Sequence, residues 1–166
     1  MLKKIIIIGS PGAGKSIFSQ KLRDITKLPL YHLDMLYHKI DGTYISKEEF
    51  EEKLRKILEK DKWIIDGNYQ RTLEMRIKKC DTVFLLDFPT EVCIAGAKAR
   101  IGKKREDLPW IEEKFDEEFK QTIIDFSNQK LPQIYEVLNK YKDNLNIIIF
   151  KSREEADNYI IKNRQE

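Results

Sequence analysis

Eight consecutive residues near the start of the chain have the types and spacing to bind a phosphate group. Residues 9–16 read Gly-Ser-Pro-Gly-Ala-Gly-Lys-Ser and fit the pattern G-x-x-x-x-G-K-S/T. Glycines let the backbone approach an anion, so that successive N–H groups surround the phosphate oxygens. Lys15 brings a charge to the β- and γ-phosphates, and the Ser16 hydroxyl can bind Mg²⁺. The candidate nucleotide-binding residues are Gly9, Pro11, Gly12, Ala13, Gly14, Lys15, Ser16 and Ile17. The alternative is a glycine-rich turn followed by a chance Lys-Ser pair.

The segments around this loop have the order that a phosphate-binding loop requires. Residues 5–8 form an apolar β-branched run typical of a buried parallel strand, and residues 16–23 have the pattern of an amphipathic helix. Further strands are predicted at residues 30–33, 63–65, 83–86 and 147–150, with helical patterns between them. Such alternation predicts an α/β P-loop fold: a three-layer α/β/α sandwich around a mainly parallel five-stranded sheet.

Capping patterns and apolar spacing predict where several helices lie. Ser46 and Ser152 each begin a Ser-x-x-Glu capping box followed by apolar residues at helical spacing. A long helical stretch is predicted from Trp110 through Phe126, and Pro132 should kink or restart it. Its aromatic stripe is expected in the core.

Three predicted strands end in an acidic residue: Asp34, Asp66 and Asp87. In an open parallel sheet, ligands bind beyond the carboxyl ends of the strands. Asp66 is therefore a candidate for the water shell of Mg²⁺, with capping of the next helix as the alternative. Asp34 could orient an acceptor, assist Mg²⁺, or cap a helix that starts at Met35. Asp87 is expected to be a helix cap.

Two further features refine the chemistry. Asp66 is followed by Gly67, and not by a second acid that would activate water, which favours transfer to a bound acceptor over hydrolysis. His32 and His38 share no spacing with other ligand types, so neither is predicted to be a metal ligand or a base.

Basic residues occur in two groups that could contact phosphates. Arg71 and Arg76 follow the Asp66 segment and could reach an acceptor, as could Asn68. Arg100, Lys103, Lys104 and Arg105 flank Gly102 and would suit a lid that closes over a triphosphate, with a solvated basic patch as the alternative. Arg153, after the last strand, is a further candidate for nucleotide binding.

The composition narrows the function classes. The chain has 166 residues and a formal net charge of +3, so direct nucleic-acid binding is not expected. Its two cysteines, Cys80 and Cys93, match no metal spacing and suit a reducing compartment. Neither a signal peptide nor a membrane span is recognisable, so we expect a cytoplasmic protein of one domain, residues 1–166, whose oligomeric state the sequence leaves open.

Together these segments resemble the adenylate-kinase-like P-loop kinases, and more closely the FlaR-related, or DNA topology modulation, group. The resemblance lies in residues 9–16, 31–34, 63–69 and 81–89, and more loosely in 147–160. It implies a kinase that binds ATP and Mg²⁺, with Lys15 and Ser16 on the phosphates and metal, Asp66 in the metal shell and Arg100 as a lid arginine. It also implies an acceptor-binding insertion at about residues 34–60 and a short lid at about residues 100–108.

The chain departs from the nucleoside monophosphate kinases at two places. Gly96 stands where those enzymes usually have an arginine that packs on the base, and Asn68, Tyr69 and Gln70 replace their acceptor-clamping arginine. AMP is therefore not the expected acceptor. The sequence predicts ATP-dependent phosphoryl transfer to a nucleotide, nucleoside or other metabolite. The alternative is an ATP-binding regulatory or DNA-topology-associated protein. A GTPase switch is disfavoured because no Asn/Thr-Lys-x-Asp segment follows a late strand.

Overall fold

The computed structural model describes residues 2–164 and contains one sheet of five parallel strands. These are β1 (Lys4–Gly9), β2 (Leu30–His32), β3 (Trp63–Asp66), β4 (Thr82–Leu86) and β5 (Asn146–Phe150). The strand order is β2-β3-β1-β4-β5, and every adjacent pair is parallel. The predicted five-stranded parallel sheet is confirmed, and each predicted strand end lies within one residue of the observed one.

Helices cover both faces of this sheet. They are α1 (Lys15–Thr26), α2 (Leu33–Tyr37), α3 (Lys47–Leu58), α4 (Leu73–Ile77), α5 (Thr90–Ala99), α6 (Glu117–Asp125), α7 (Leu131–Tyr141) and α8 (Arg153–Arg164). Alternate strand residues face opposite sides of a sheet. Ile6 and Ile8 of β1 accordingly pack in a cluster with α3, α4 and α7, whereas Ile5 and Ile7 pack with α1, α5, α6 and α8. The predicted three-layer sandwich is confirmed.

The predicted caps form, but the long helix begins later than expected. The Ser46 hydroxyl accepts a hydrogen bond from the Glu49 amide at 3.1 Å, and Ser152 accepts one from Glu155 at 3.2 Å. Residues 110–116 are irregular, because α6 begins only where the Asp116 side chain accepts a bond from the Phe119 amide. A π-helical turn, Phe126–Lys130, then leads into α7, which has a proline in its first turn.

The predicted capping role of Asp87 is wrong. Helix α5 begins after Pro89, and no side-chain cap is present there. The Asp87 carboxylate instead accepts hydrogen bonds from the Tyr135 hydroxyl and from Lys151 Nζ, each at 2.5 Å. It therefore joins the end of β4 to α7 and to the residue after β5. Within residues 2–164 there is no helix of the length and apolar character needed to cross a membrane.

Candidate functional site

A cleft of about 1050 Å³ lies where the carboxyl ends of the strands meet. All five strands run in the same direction, so the segments that follow them converge at this edge of the sheet. The cleft is lined by residues from several of these segments, and it brings together most of the predicted site residues: Pro11, Gly12, Gly14, Lys15, Ser16, Ile17, Asp34, Asp66, Asn68, Arg100, Arg105 and Arg153.

The phosphate loop, residues 9–16, has the backbone conformation of an anion cradle. Gly12 and Gly14 have φ angles of 84° and 93°, which side-chain-bearing residues rarely adopt. A Cβ on Gly12 would lie 2.0 Å from the Cys93 carbonyl oxygen, so no side chain fits there. Gly14 is also the residue from which α1 begins, so the positive end of that helix faces the loop.

Two predicted nucleotide-binding residues lie outside the cleft lining. Gly9 and Ala13 are both buried. The Gly9 amide donates a hydrogen bond to Asn68 Oδ1 at 3.2 Å, and the Ala13 amide donates one to the Ser10 carbonyl at 3.0 Å. In this structure both residues shape the loop from beneath, and their contact with a nucleotide stays a prediction.

Lys15 and Ser16 present the groups that a bound nucleotide would need. Lys15 Nζ donates a hydrogen bond to the Ser10 carbonyl at 3.2 Å. Burial lowers the pKa of Lys15, and the negative charges of Asp66 and Asp34 oppose that shift. The Ser16 hydroxyl accepts a bond from Gln20 at 2.9 Å. The Lys15 ammonium group suits a nucleotide phosphate, and the Ser16 hydroxyl at the start of α1 suits the magnesium ion that accompanies it.

Protein side chains alone do not form a metal cage in the part of the chain that the structure describes. No group of three or more His, Cys, Asp or Glu residues there could hold a metal ion. Magnesium commonly keeps several waters and binds through one or two protein groups together with substrate phosphates. The donor set of Ser16 and Asp66 fits that mode of binding.

Asp66 is held by His32, which was predicted to be neither a metal ligand nor a base. Asp66 is the last residue of β3 and is 5% exposed, and its Oδ2 lies 2.8 Å from Nδ1 of His32. The other ring nitrogen of His32 lies 2.7 Å from Oε2 of Glu106. Burial alone lowers the pKa of His32, but the hydrogen bonds and charges of these carboxylates outweigh burial and raise the pKa to about 9. The imidazole is therefore protonated at neutral pH.

Asp34 lies on the side of the cleft where an acceptor is expected. Its carboxylate accepts a hydrogen bond from the Tyr69 hydroxyl at 2.6 Å. Burial and the neighbouring Asp34 charge raise the pKa of Tyr69 above its ordinary value, so the hydroxyl keeps its proton. The Tyr69 ring packs against Phe50 and Tyr37 at centroid distances of 5.0 and 5.6 Å. The aromatic contacts thus fix the hydroxyl that holds Asp34.

The two arginines predicted to reach an acceptor lie elsewhere. Arg76 is 0% exposed; its guanidinium donates to the Thr72 hydroxyl at 3.2 Å and to the Gly67, Asn68 and Tyr69 carbonyls. Arg71 pairs with Glu51 at 2.6 Å on the surface. Neither lines the cleft in this structure: Arg76 holds the loop after β3 from within, and Arg71 ties that loop to α3. Contact of either residue with an acceptor stays a prediction.

The lid segment, residues 100–108, contributes basic side chains to the cleft, but acids accompany them. Arg100, Lys103, Lys104 and Arg105 all line the cleft. Glu112 Oε1 lies 3.0 Å from Arg100 Nε and also pairs with Arg105, which forms two further bonds of 2.9 Å with Asp107. The two arginines are therefore already paired with carboxylates.

Helix α5 forms a further wall of the cleft. Val92, Ala95, Gly96 and Ala99 line the cleft from this helix. A Cβ on Gly96 would lie 2.1 Å from the Gly12 carbonyl oxygen and 3.5 Å from Arg153 Nη2. The close approach of α5 to the phosphate loop thus explains why glycine stands at this position: an arginine could not be accommodated.

Comparison with known proteins agrees with this architecture. No protein-family model matches the chain, so its likeness to the FlaR-related group stays a prediction. Adenylate kinases of Thermotoga petrophila and Thermotoga maritima are each 28% identical to it over 100 residues, which make up 57% of this chain and 44% of theirs. The match therefore spans less than half the length of these curated relatives.

Solved structures show the same fold over nearly the whole chain. Shikimate kinase from Acinetobacter baumannii, in complex with shikimate, superposes with a TM-score of 0.64 at 16% identity, covering 98% of this chain and 90% of that one. Shikimate kinase from Bacteroides thetaiotaomicron gives a TM-score of 0.57 at 14% identity, covering 99% and 98%. The chain therefore has the P-loop α/β fold found in shikimate kinases.

Proposed function

We propose that this protein is an ATP-dependent kinase that transfers the γ-phosphoryl group to a small molecule bound between the Asp34 side of the cleft and Asp66. One observation carries the proposal: the phosphate loop with Lys15, the strand-end acid Asp66 and the acceptor-side acid Asp34 line one cleft. The fold shared with shikimate kinases and the partial match to adenylate kinases support the same reaction class.

The residues of the chain would act mainly by positioning and by charge. The phosphate loop binds the triphosphate through backbone N–H groups, and Lys15 exchanges its bond to the Ser10 carbonyl for one to a phosphate oxygen. Ser16 and Asp66 would hold the magnesium ion, which when bound neutralises charge on the phosphates. Asp34 accepts a hydrogen bond from the acceptor hydroxyl and takes up its proton as the oxygen attacks phosphorus. The bond from phosphorus to the leaving ADP oxygen breaks.

The nucleotide would lie between α5 and the loop after β5. The small side chains of α5 leave room for a base, and Arg153 lies beside the phosphate loop, since a Cβ on Gly14 would be 2.8 Å from its Nη1. Arg100 and Arg105 would leave their carboxylate partners and close over the phosphates, which excludes water. Protection of residues 100–105 from proteolysis when an ATP analogue binds would support this lid; unchanged cleavage would contradict it.

The acceptor side favours a hydroxyl-bearing molecule over a nucleoside monophosphate. Asp34 and the Tyr69 hydroxyl suit a hydroxyl group, whereas neither Arg71 nor Arg76 lines the cleft to offer a guanidinium to an acceptor phosphate. We therefore expect nucleosides, sugars and related alcohols to be better acceptors than AMP.

A screen of such acceptors with ATP and Mg²⁺, read by ADP release, tests the proposal. The matched control is Lys15→Ala, which should remove any activity found. Turnover with at least one small acceptor supports a kinase. ATP binding without turnover on any acceptor would contradict it and would favour an ATP-dependent regulatory protein.

A further inference from the structure

One histidine joins the acid at the end of β3 to the lid segment. His32 is 6% exposed, and its two ring nitrogens lie 2.8 Å from Asp66 Oδ2 and 2.7 Å from Glu106 Oε2. Both neighbours are carboxylates, which accept hydrogen bonds, so both nitrogens donate. Hydrogen bonds between charged groups are shorter and stronger than neutral ones. The ring is therefore held firmly at both ends.

The backbone fixes where this histidine can act. His32 is the last residue of β2, and Asp66 is its register partner in β3. The Asp66 carboxylate is bound to His32 through Oδ2, and Oδ1 has no hydrogen-bond partner among residues 2–164. Because Oδ2 is held by His32, Oδ1 is left to face a ligand in a defined direction. Because β2 and β3 are paired strands of the sheet, the backbone holds the ring in place, and the ring in turn holds the Asp66 carboxylate in one orientation.

The opposite end of the ring holds a segment that is otherwise irregular. Glu106 lies between Arg105 and Asp107, both of which line the cleft. Its carboxylate also accepts two hydrogen bonds from Arg23 of α1, at 2.9 and 3.0 Å, on the exposed side. An exposed ion pair contributes little to stability. The bond to His32 is partly buried, since the ring is 6% exposed, and is therefore the stronger attachment of Glu106.

We infer that His32 is a positioning residue that orients the Asp66 carboxylate and holds the lid segment against the edge of the sheet through Glu106. The inference about Asp66 rests on the proposed binding of ATP with magnesium, whereas the attachment of the lid does not. His32 thereby connects the metal side of the cleft with the segment that carries Arg105.

Two substitutions separate the two bonds of the ring. An asparagine amide lies close to the place of Nδ1, so His32→Asn keeps a donor for Asp66 and loses the bond to Glu106. A glutamine amide reaches the place of Nε2, so His32→Gln keeps a donor for Glu106 and loses the bond to Asp66. If the ring served only to fill space in the core, the two variants would behave alike.

Hydrogen exchange measures how firmly the lid segment is held through Glu106, and calorimetry measures how Mg²⁺ changes ATP affinity, which depends on Asp66. In His32→Asn, amide exchange in residues 100–108 of the nucleotide-free protein should rise by about tenfold or more, on the scale of a lost hydrogen bond to a charged group. In His32→Gln, that exchange should stay near its original rate. The gain in ATP affinity produced by Mg²⁺, measured against EDTA, should instead fall by about tenfold in His32→Gln and change little in His32→Asn.

Further variants that leave His32 unchanged distinguish the loss of one hydrogen bond from misfolding of the core. Glu106→Ala removes the acceptor of the bond from His32 Nε2 and leaves the buried histidine in place, so it should loosen residues 100–108 as His32→Asn does. Arg23→Gln removes only the exposed partner of Glu106 and should have a smaller effect. Equal behaviour of the two His32 variants, or unchanged exchange in Glu106→Ala, would overturn the inference. If the unchanged protein bound no ATP, the proposed function would fail, while the exchange data would still decide whether His32 holds the lid.

Discussion

The contact between Gly96 and the phosphate loop gives a prediction with a definite sign. Replacing glycine by alanine inside a helix ordinarily stabilises it by about 1 kcal/mol, because alanine has less backbone freedom to lose on folding. At Gly96 the added Cβ would lie 2.1 Å from the Gly12 carbonyl oxygen, against 3.4 Å for ordinary contact. The loop and α5 would have to separate by more than 1 Å. We therefore expect Gly96→Ala to destabilise the protein.

The magnitude follows from the cost of overpacking. Forcing an extra group into a packed site costs about 1–3 kcal/mol, and an overlap with backbone atoms lies at the upper end of that range. After the gain in helix propensity, a net loss of about 1–2 kcal/mol remains. For a chain of this size the melting temperature should fall by about 2–8 °C. The phosphate loop would also be displaced, so ATP affinity should decrease.

Circular dichroism melting and calorimetry with ATP measure both effects. Ala95→Gly is the matched control for the melt, because Ala95 is an exposed neighbour in the same helix and its substitution lowers the helix propensity without an overlap. That variant should lose up to about 1 kcal/mol. Since Ala95 also lines the cleft, ATP affinity is compared only between Gly96→Ala and the original protein. A Gly96→Ala protein that melts higher than the original, with unchanged ATP affinity, would refute the steric argument.

Three further predictions concern the cleft. Lys15→Ala should weaken ATP binding by about tenfold or more, because the ammonium group is lost; calorimetry measures it, and unchanged affinity would remove Lys15 from the site. Asp66→Asn should lower kcat by about 10²-fold with little change in melting temperature, once an acceptor is known; normal turnover would reduce Asp66 to a structural role. Arg76→Lys should lower the melting temperature by about 4 °C or more, since the buried fork bonds to several carbonyls; an unchanged melt would contradict that role.

The sheet and the phosphate loop could be predicted because their signals are local. Four consecutive isoleucines, Ile5–Ile8, predict a strand that is buried on both faces of a parallel sheet, and all four are buried in the structure. The spacing of the glycines after them predicts the phosphate loop. Asp66 could be proposed because a strand-end position is visible in the sequence. The same reasoning was wrong for Asp87, since two partners from distant segments, Tyr135 and Lys151, decide what its carboxylate does.

His32 was missed because its role depends on pairing between strands. Its bond to Asp66 exists only because β2 lies beside β3 with His32 opposite Asp66. Its second ring nitrogen is bound by Glu106, which is 74 residues away in the sequence. One signal was present: His32 lies near the end of the second predicted strand and Asp66 directly follows the third, so both lie near the carboxyl ends of predicted strands. The burial of Arg76 could not be predicted for a related reason, because the sequence of a short helix does not show which residue turns inward to the carbonyls of the preceding loop.

The proposed lid, residues 100–108, shows that a run of like charges does not reveal the partners that lie outside it. Residues 100–105 carry four cations, which favoured either an open phosphate clamp or a solvated patch. In the structure Asp107 and Glu112 pair with Arg105, and Glu112 pairs with Arg100 as well. A triphosphate must therefore compete with carboxylates for these guanidinium groups. If the segment is a lid, as we propose, these ion pairs would hold it in place without nucleotide, and a ligand of higher negative charge, such as ATP, would have to displace the acids.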